Sequence, residues 1–258
     1  MLFSPAMPAY FEGLLWLLLL LGPLLILQRI LHRETQAIFL LLTRRGEIAL
    51  ALFSLLFFPG VLLHETSHFI MARLLGVRTG RFSLLPHPLP NGRLQLGFVE
   101  TAATDWIRDA LIGGAPLILG GAFVAYAGLE RLGLTALWWN SVMGGPSAFL
   151  DSLPSLYGQP DFWVWFYLTF AVSSTMLPSP SDRRAWLPVA FVVAILLLLS
   201  LLAGAGPWLL SHLASPLDQI FRALAIVLGI SDFVHLVLLL PLWGVRRALV
   251  QITGLDVA

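Results

Sequence analysis

The chain has 258 residues, of which 58% are hydrophobic and 11% charged, with a formal net charge of +1. Soluble domains are about 45–50% apolar and about 25% charged, so this composition belongs to a multi-pass membrane protein in a lipid bilayer. The near-neutral charge excludes a nucleic-acid footprint, and the absence of cysteine excludes disulfides, thiolate chemistry and Cys-ligated metal.

Apolar blocks long enough for a hydrocarbon core of about 30 Å predict an all-α polytopic fold with about six transmembrane helices. The first covers about 10–30, carries no basic segment or cleavage site that would mark it for removal, and precedes an interfacial helix at 34–44. The second, about 46–75, contains Pro59-Gly60 and then His64-Glu65-Thr66-Ser67-His68. On a helix, residues i and i+4 lie about 40° apart around the axis, so His64 and His68 share a face and can grip one metal ion. Glu65 lies about 100° from His64, beside the metal, where it can take a proton from a water there. Each ionisable group in a span costs on the order of 2.5–3.5 kcal/mol on insertion scales, so this clustering demands a use.

After the H-E-x-x-H helix the period changes. Phe82 and Leu84, then Leu94, Leu96 and Phe98, alternate with polar or smaller neighbours, and Asn91-Gly92 is a tight-turn signal. This predicts a small membrane-associated β-hairpin over 81–99. Its second strand, Arg93, Leu94, Gln95, Leu96, Gly97, Phe98 and Val99, offers an edge on which an unwound substrate segment can pair. Further spans follow at about 108–128, 162–178, 186–204 and 217–244, and the connection at 129–160 can hold a short amphipathic helix. Trp106, Trp163, Trp165, Trp186, Trp208 and Trp243 fall near predicted ends, where indole rings prefer the headgroup layer. Across six alternating spans, arginine is richer on the hairpin side. That bias predicts a cell-membrane protein with the hairpin, the active site and both termini toward the cytoplasm.

The segment HETSHFIMARLLGVRTGRFSL resembles the first signature of the site-2 protease family of intramembrane zinc metalloproteases. There H-E-x-x-H is followed by a small residue, here Ala72, by a Gly-Val step, here Gly76-Val77, and by a β-rich stretch. IGGAPLILGG (Ile112–Gly121) is similar to the family's small-Gly-Pro segment, and STMLPSPSDR (Ser174–Arg183) to the segment that supplies its third zinc ligand. In the latter a hydroxyl residue, Ser174 or Thr175, stands for the family's Asn, and Arg183 for its Gly. The resemblance implies one zinc ion (Zn2+) per chain on His64, His68 and Asp182, with Glu65 as general base. It also implies a single-pass transmembrane protein as substrate, cut within or near the bilayer.

A catalytic zinc takes three protein ligands and keeps an open position. Without cysteine, the third ligand is Asp, Glu or His. Pro178 and Pro180 break the helix ahead of Asp182 and favour it. Asp232 with His235, three residues apart in the last span, is the alternative. His32, His87, His212, Glu100, Asp105 and Asp109 fall in loops or near span ends and read as ordinary polar residues. The organisation read from the chain is an N-terminal span with its interfacial segment (1–45), a protease-like core (46–185) and a C-terminal two-helix extension (186–258). The same polar residues also suit a catalytically impaired scaffold or chaperone, or a metal transporter.

Overall fold

A computed structural model describes residues 11–84, 86–88, 94–158 and 161–255. Its helices are α1 (Glu12–Thr43), α2 (Gly46–Leu74), α3 (Trp106–Tyr126), α4 (Leu134–Tyr157), α5 (Phe162–Ser173), α6 (Trp186–Leu202) and α7 (Gly206–Thr253). Strands β1 (Thr79–Ser83), β2 (His87–Pro88), β3 (Leu94–Gln95) and β4 (Phe98–Thr101) lie between α2 and α3. The expected class holds: α1, α2, α7 and α3 with the π-turn that extends it are long and apolar enough to cross a membrane. α5 and α6 have 12 and 17 residues. At 1.5 Å per residue, α5 rises about 18 Å, short of a hydrocarbon core of about 30 Å.

The first span and the interfacial helix expected after it are one helix, because no Gly or Pro interrupts the chain between Pro23 and Thr43. α2 stops at Gly76, whose φ of +70° suits a residue without Cβ. There the Val77 amide donates back to the Ala72 carbonyl at 2.8 Å. The predicted hairpin forms as two short antiparallel ladders rather than one. β1 pairs with β4, with Ser83 opposite Phe98, and β2 pairs with β3, with His87 opposite Gln95. The Asn91-Gly92 turn and Arg93 lie outside the described residues. The connection at 129–160 holds more helix than expected, since α4 fills most of it and breaks only at Gly145 (φ 70°).

α1 packs most extensively on α7, and the two run parallel. Near the start of α1 the Gly13 amide donates to Asp218 Oδ1 at 2.7 Å, and farther along both helices Arg246 donates to Glu34 Oε1 at 2.9 Å. The first and last of six alternating spans would run antiparallel, so the six-span expectation is not met. The N-terminal end of α1 and the C-terminal end of α7 lie at opposite ends of the bundle. Arg246 and Arg247 therefore join Arg44, Arg45 and Arg131 at the end away from the strands. This removes the arginine bias that placed the strands and both termini in the cytoplasm.

Two apolar clusters hold the bundle. One joins Phe53, Phe57 and Val61 of α2 to Leu31, Phe166, Phe170 and Val234. The other joins Leu24, Val124, Val172, Met176 and Val227. α2 and α5 meet backbone to backbone at Gly60, where a Cβ would collide with the Ala171 carbonyl. α6 buries none of its side chains, as suits an apolar helix with apolar surroundings.

Candidate metal centre

His64 and His68 face the same side of α2, and each ring is held through Nδ1 by a backbone carbonyl. Thr175 O accepts from His64 at 2.7 Å, and Ile112 O accepts from His68 at 2.8 Å. Both carbonyls are free for a local reason. α5 ends at Ser173, so no helical amide claims Thr175 O. Within α3 the residue four beyond Ile112 is Pro116, which has no N–H to give.

A carbonyl only accepts, so both Nδ1 atoms carry the proton and both Nε2 atoms present a lone pair. Those Nε2 atoms lie 3.1 Å apart. Asp182 completes the group, with Oδ2 3.6 Å from His64 Nε2 and Oδ1 3.4 Å from His68 Nε2. Two lone pairs and a carboxylate at this spacing repel one another unless a cation sits among them. Ligand atoms about 2.0–2.1 Å from a tetrahedral zinc lie about 3.3 Å from each other, close to all three separations. The donor set thus fits zinc, with outer-sphere carbonyls orienting both rings. Among the described residues, no other three His, Asp or Glu side chains form such a group.

Asp182 is fixed within its own segment. The Ser179 amide donates to its Oδ2 at 2.7 Å, and its own amide donates to Ser179 Oγ at 3.3 Å. The Ser179 amide favours the ionised form of this carboxylate, the form that can bind a cation. Its backbone lies against α3 at Gly113, where any Cβ would strike the Asp182 carbonyl.

The three side chains open onto a cavity of about 720 Å³. Glu65 lines it, only 7% exposed, and a Cβ added at Gly97 would lie 2.9 Å from Glu65 Cγ. Leu96, Gly97, Phe98 and Val99 of the predicted substrate strand line the same cavity, while Leu94 and Gln95 form β3. The edge of β4 away from β1 has no strand partner among the described residues.

The alternative ligands do not join this group. His235 is fully buried, contacting Ser174 Oγ at 3.0 Å and the Ser231 carbonyl at 2.7 Å. Both carboxylate oxygens of Asp232 are buried without a hydrogen bond among the described residues. Of the residues read as ordinary, His32 and Asp109 also line the cavity, and Asp109 is paired with Arg184. Glu100 is exposed as expected, and Asp105 caps α3 by accepting from the Ile107 and Arg108 amides. Pro116 was the sequence signal for the freed carbonyl, but its value depends on knowing that His68 packs against α3. Comparison with protein-family models, curated proteins and solved structures finds no match for the chain.

Proposed function

We propose that the chain is a zinc-dependent intramembrane endopeptidase of the site-2 protease type, which hydrolyses a peptide bond of a single-pass transmembrane protein within or near the bilayer. One observation carries this reading: two imidazole Nε2 atoms and the Asp182 carboxylate meet at zinc-ligand spacing in a cavity that also holds Glu65. When bound, zinc supplies a Lewis acid for the scissile carbonyl and lowers the pKa of water toward about 7.

The chain's own residues do the rest. His64, His68 and Asp182 hold the ion, and the Thr175 and Ile112 carbonyls keep both rings turned toward it. Glu65 accepts a proton from water and returns it to the leaving amine. A substrate helix locks its amides in i to i−4 bonds, so it must unwind before attack. The edge of β4 away from β1, beside Val99 in the cavity wall, offers replacement backbone hydrogen bonds to the unwound segment. Leu96 and Gly97 bring that segment past Glu65.

The test is cleavage of a panel of single-pass transmembrane segments by the purified chain in lipid nanodiscs, with fragments read by mass spectrometry. Glu65→Gln should lower kcat by about 10²–10⁴-fold with zinc content unchanged. Cleavage at the wild-type rate by Glu65→Gln, or no cleavage of any segment by the wild type, overturns the proposal.

A further inference from the structure

The bonds from Ser179 fix Asp182 within its own segment, but they do not fix that segment against the histidines of α2. Contacts to the opening turns of α3 do so. Arg184, two residues after Asp182, donates from Nε to Asp109 Oδ2 at 2.8 Å and from a terminal nitrogen to Oδ1 at 2.7 Å. This is a two-pronged guanidinium–carboxylate bond, which sets direction as well as distance. The Trp186 Nε1–H repeats the tie one residue along α3, donating to the Ala110 carbonyl at 3.2 Å. Asp109 stands one turn before Ile112, whose carbonyl orients His68. One stretch of α3 thus touches two of the ligands' supports at once.

We propose that the Asp109–Arg184 ion pair is a positioning device: it clamps the segment bearing Asp182 onto α3 and so sets how tightly the site holds a divalent cation. This rests on the metal centre proposed above. The Arg184 side chain is 63% exposed, and exposed ion pairs add little to global stability. A metal ligand, by contrast, must be placed within a fraction of an ångström, and outer-sphere changes cost about 10–100-fold in metal affinity. The pair should therefore matter far more to metal binding than to folding.

Titration of the metal-free chain with Co²⁺, read by its visible d–d absorption, tests this. Arg184→Met and Asp109→Asn should each weaken Co²⁺ binding about 10–100-fold and distort the spectrum, with the melting temperature of the metal-free chain unchanged. The double variant should lose no more than either single one, as for two halves of one bond. Arg184→Lys keeps the charge but not the fork, so it should fall between, and it carries the test if Arg184→Met folds poorly. Affinities within about twofold of wild type, or losses that add in the double variant, overturn the positioning role while leaving the metal centre standing. A wild-type chain that binds no Co²⁺ overturns the metal centre and this inference with it.

Discussion

The half of α2 before Gly60 packs through Phe53 and Phe57, whereas the half after it carries His64, Glu65 and His68. Phe57 is fully buried, its ring 4.7 Å from that of Phe53 and 5.4 Å from that of Phe170. Close packing of area and volume holds that half, and a side chain of similar shape serves nearly as well. In the other half, direction rather than volume is at stake. Each imidazole is aimed by a carbonyl that its own helix has released, one past the end of α5 and one opposite Pro116. A single helix therefore spans a region that tolerates substitution by size and a region that depends on where neighbouring helices are interrupted.

The comparison breaks most completely at the ligands. His68→Ala should weaken Zn²⁺ binding beyond the 10–100-fold range of outer-sphere changes, by competition titration with a chelator, while the fold persists. Phe57→Ala is the converse: it should cost about 3–5 kcal/mol of stability, read by denaturant unfolding in micelles, yet leave one zinc per folded chain. Pro116→Ala sharpens the contrast, since it adds no bulk and supplies an amide that competes with His68 for Ile112 O. The carbonyl can accept twice, so the expected loss of metal affinity is about tenfold, at the low end for an outer-sphere change.

The smallest effect belongs to Asp105. The Arg108 amide, with smaller help from the Arg108 charge and the Ile107 amide, holds its carboxyl below the ordinary value of 3.8. Its cap on α3 is fully present above that ordinary value and is lost only as pH falls through the lower folded one. The difference in melting temperature between wild type and Asp105→Asn, which retains a capping oxygen, should therefore be small and stay constant between pH 7 and pH 5.

Much of the site was legible in the chain because H-E-x-x-H is local: two imidazoles on one helical face, with a carboxylate beside them. Asp182 was legible through the prolines ahead of it, and the strand pairing of β1 with β4 through alternating apolar residues. What the pattern could not carry is non-local. Hydropathy marks the length of an apolar run but not its direction, so the parallel packing of α1 on α7, fixed by Gly13 with Asp218 and Glu34 with Arg246, left no trace in it. The Asp109–Arg184 bond joins residues 75 positions apart, and either alone reads as a solvated charge. His32 looked like a span-end residue because α1 was expected to stop near it rather than continue to Thr43.

Zinc K-edge X-ray absorption of the purified chain in nanodiscs tests the central claim most directly. The proposed metal centre predicts one zinc with two imidazole nitrogens and a carboxylate oxygen at about 2.0–2.2 Å, and loss of the nitrogen shell in His64→Ala/His68→Ala. An all-oxygen shell in the wild type, or a nitrogen shell that survives the double substitution, would contradict it.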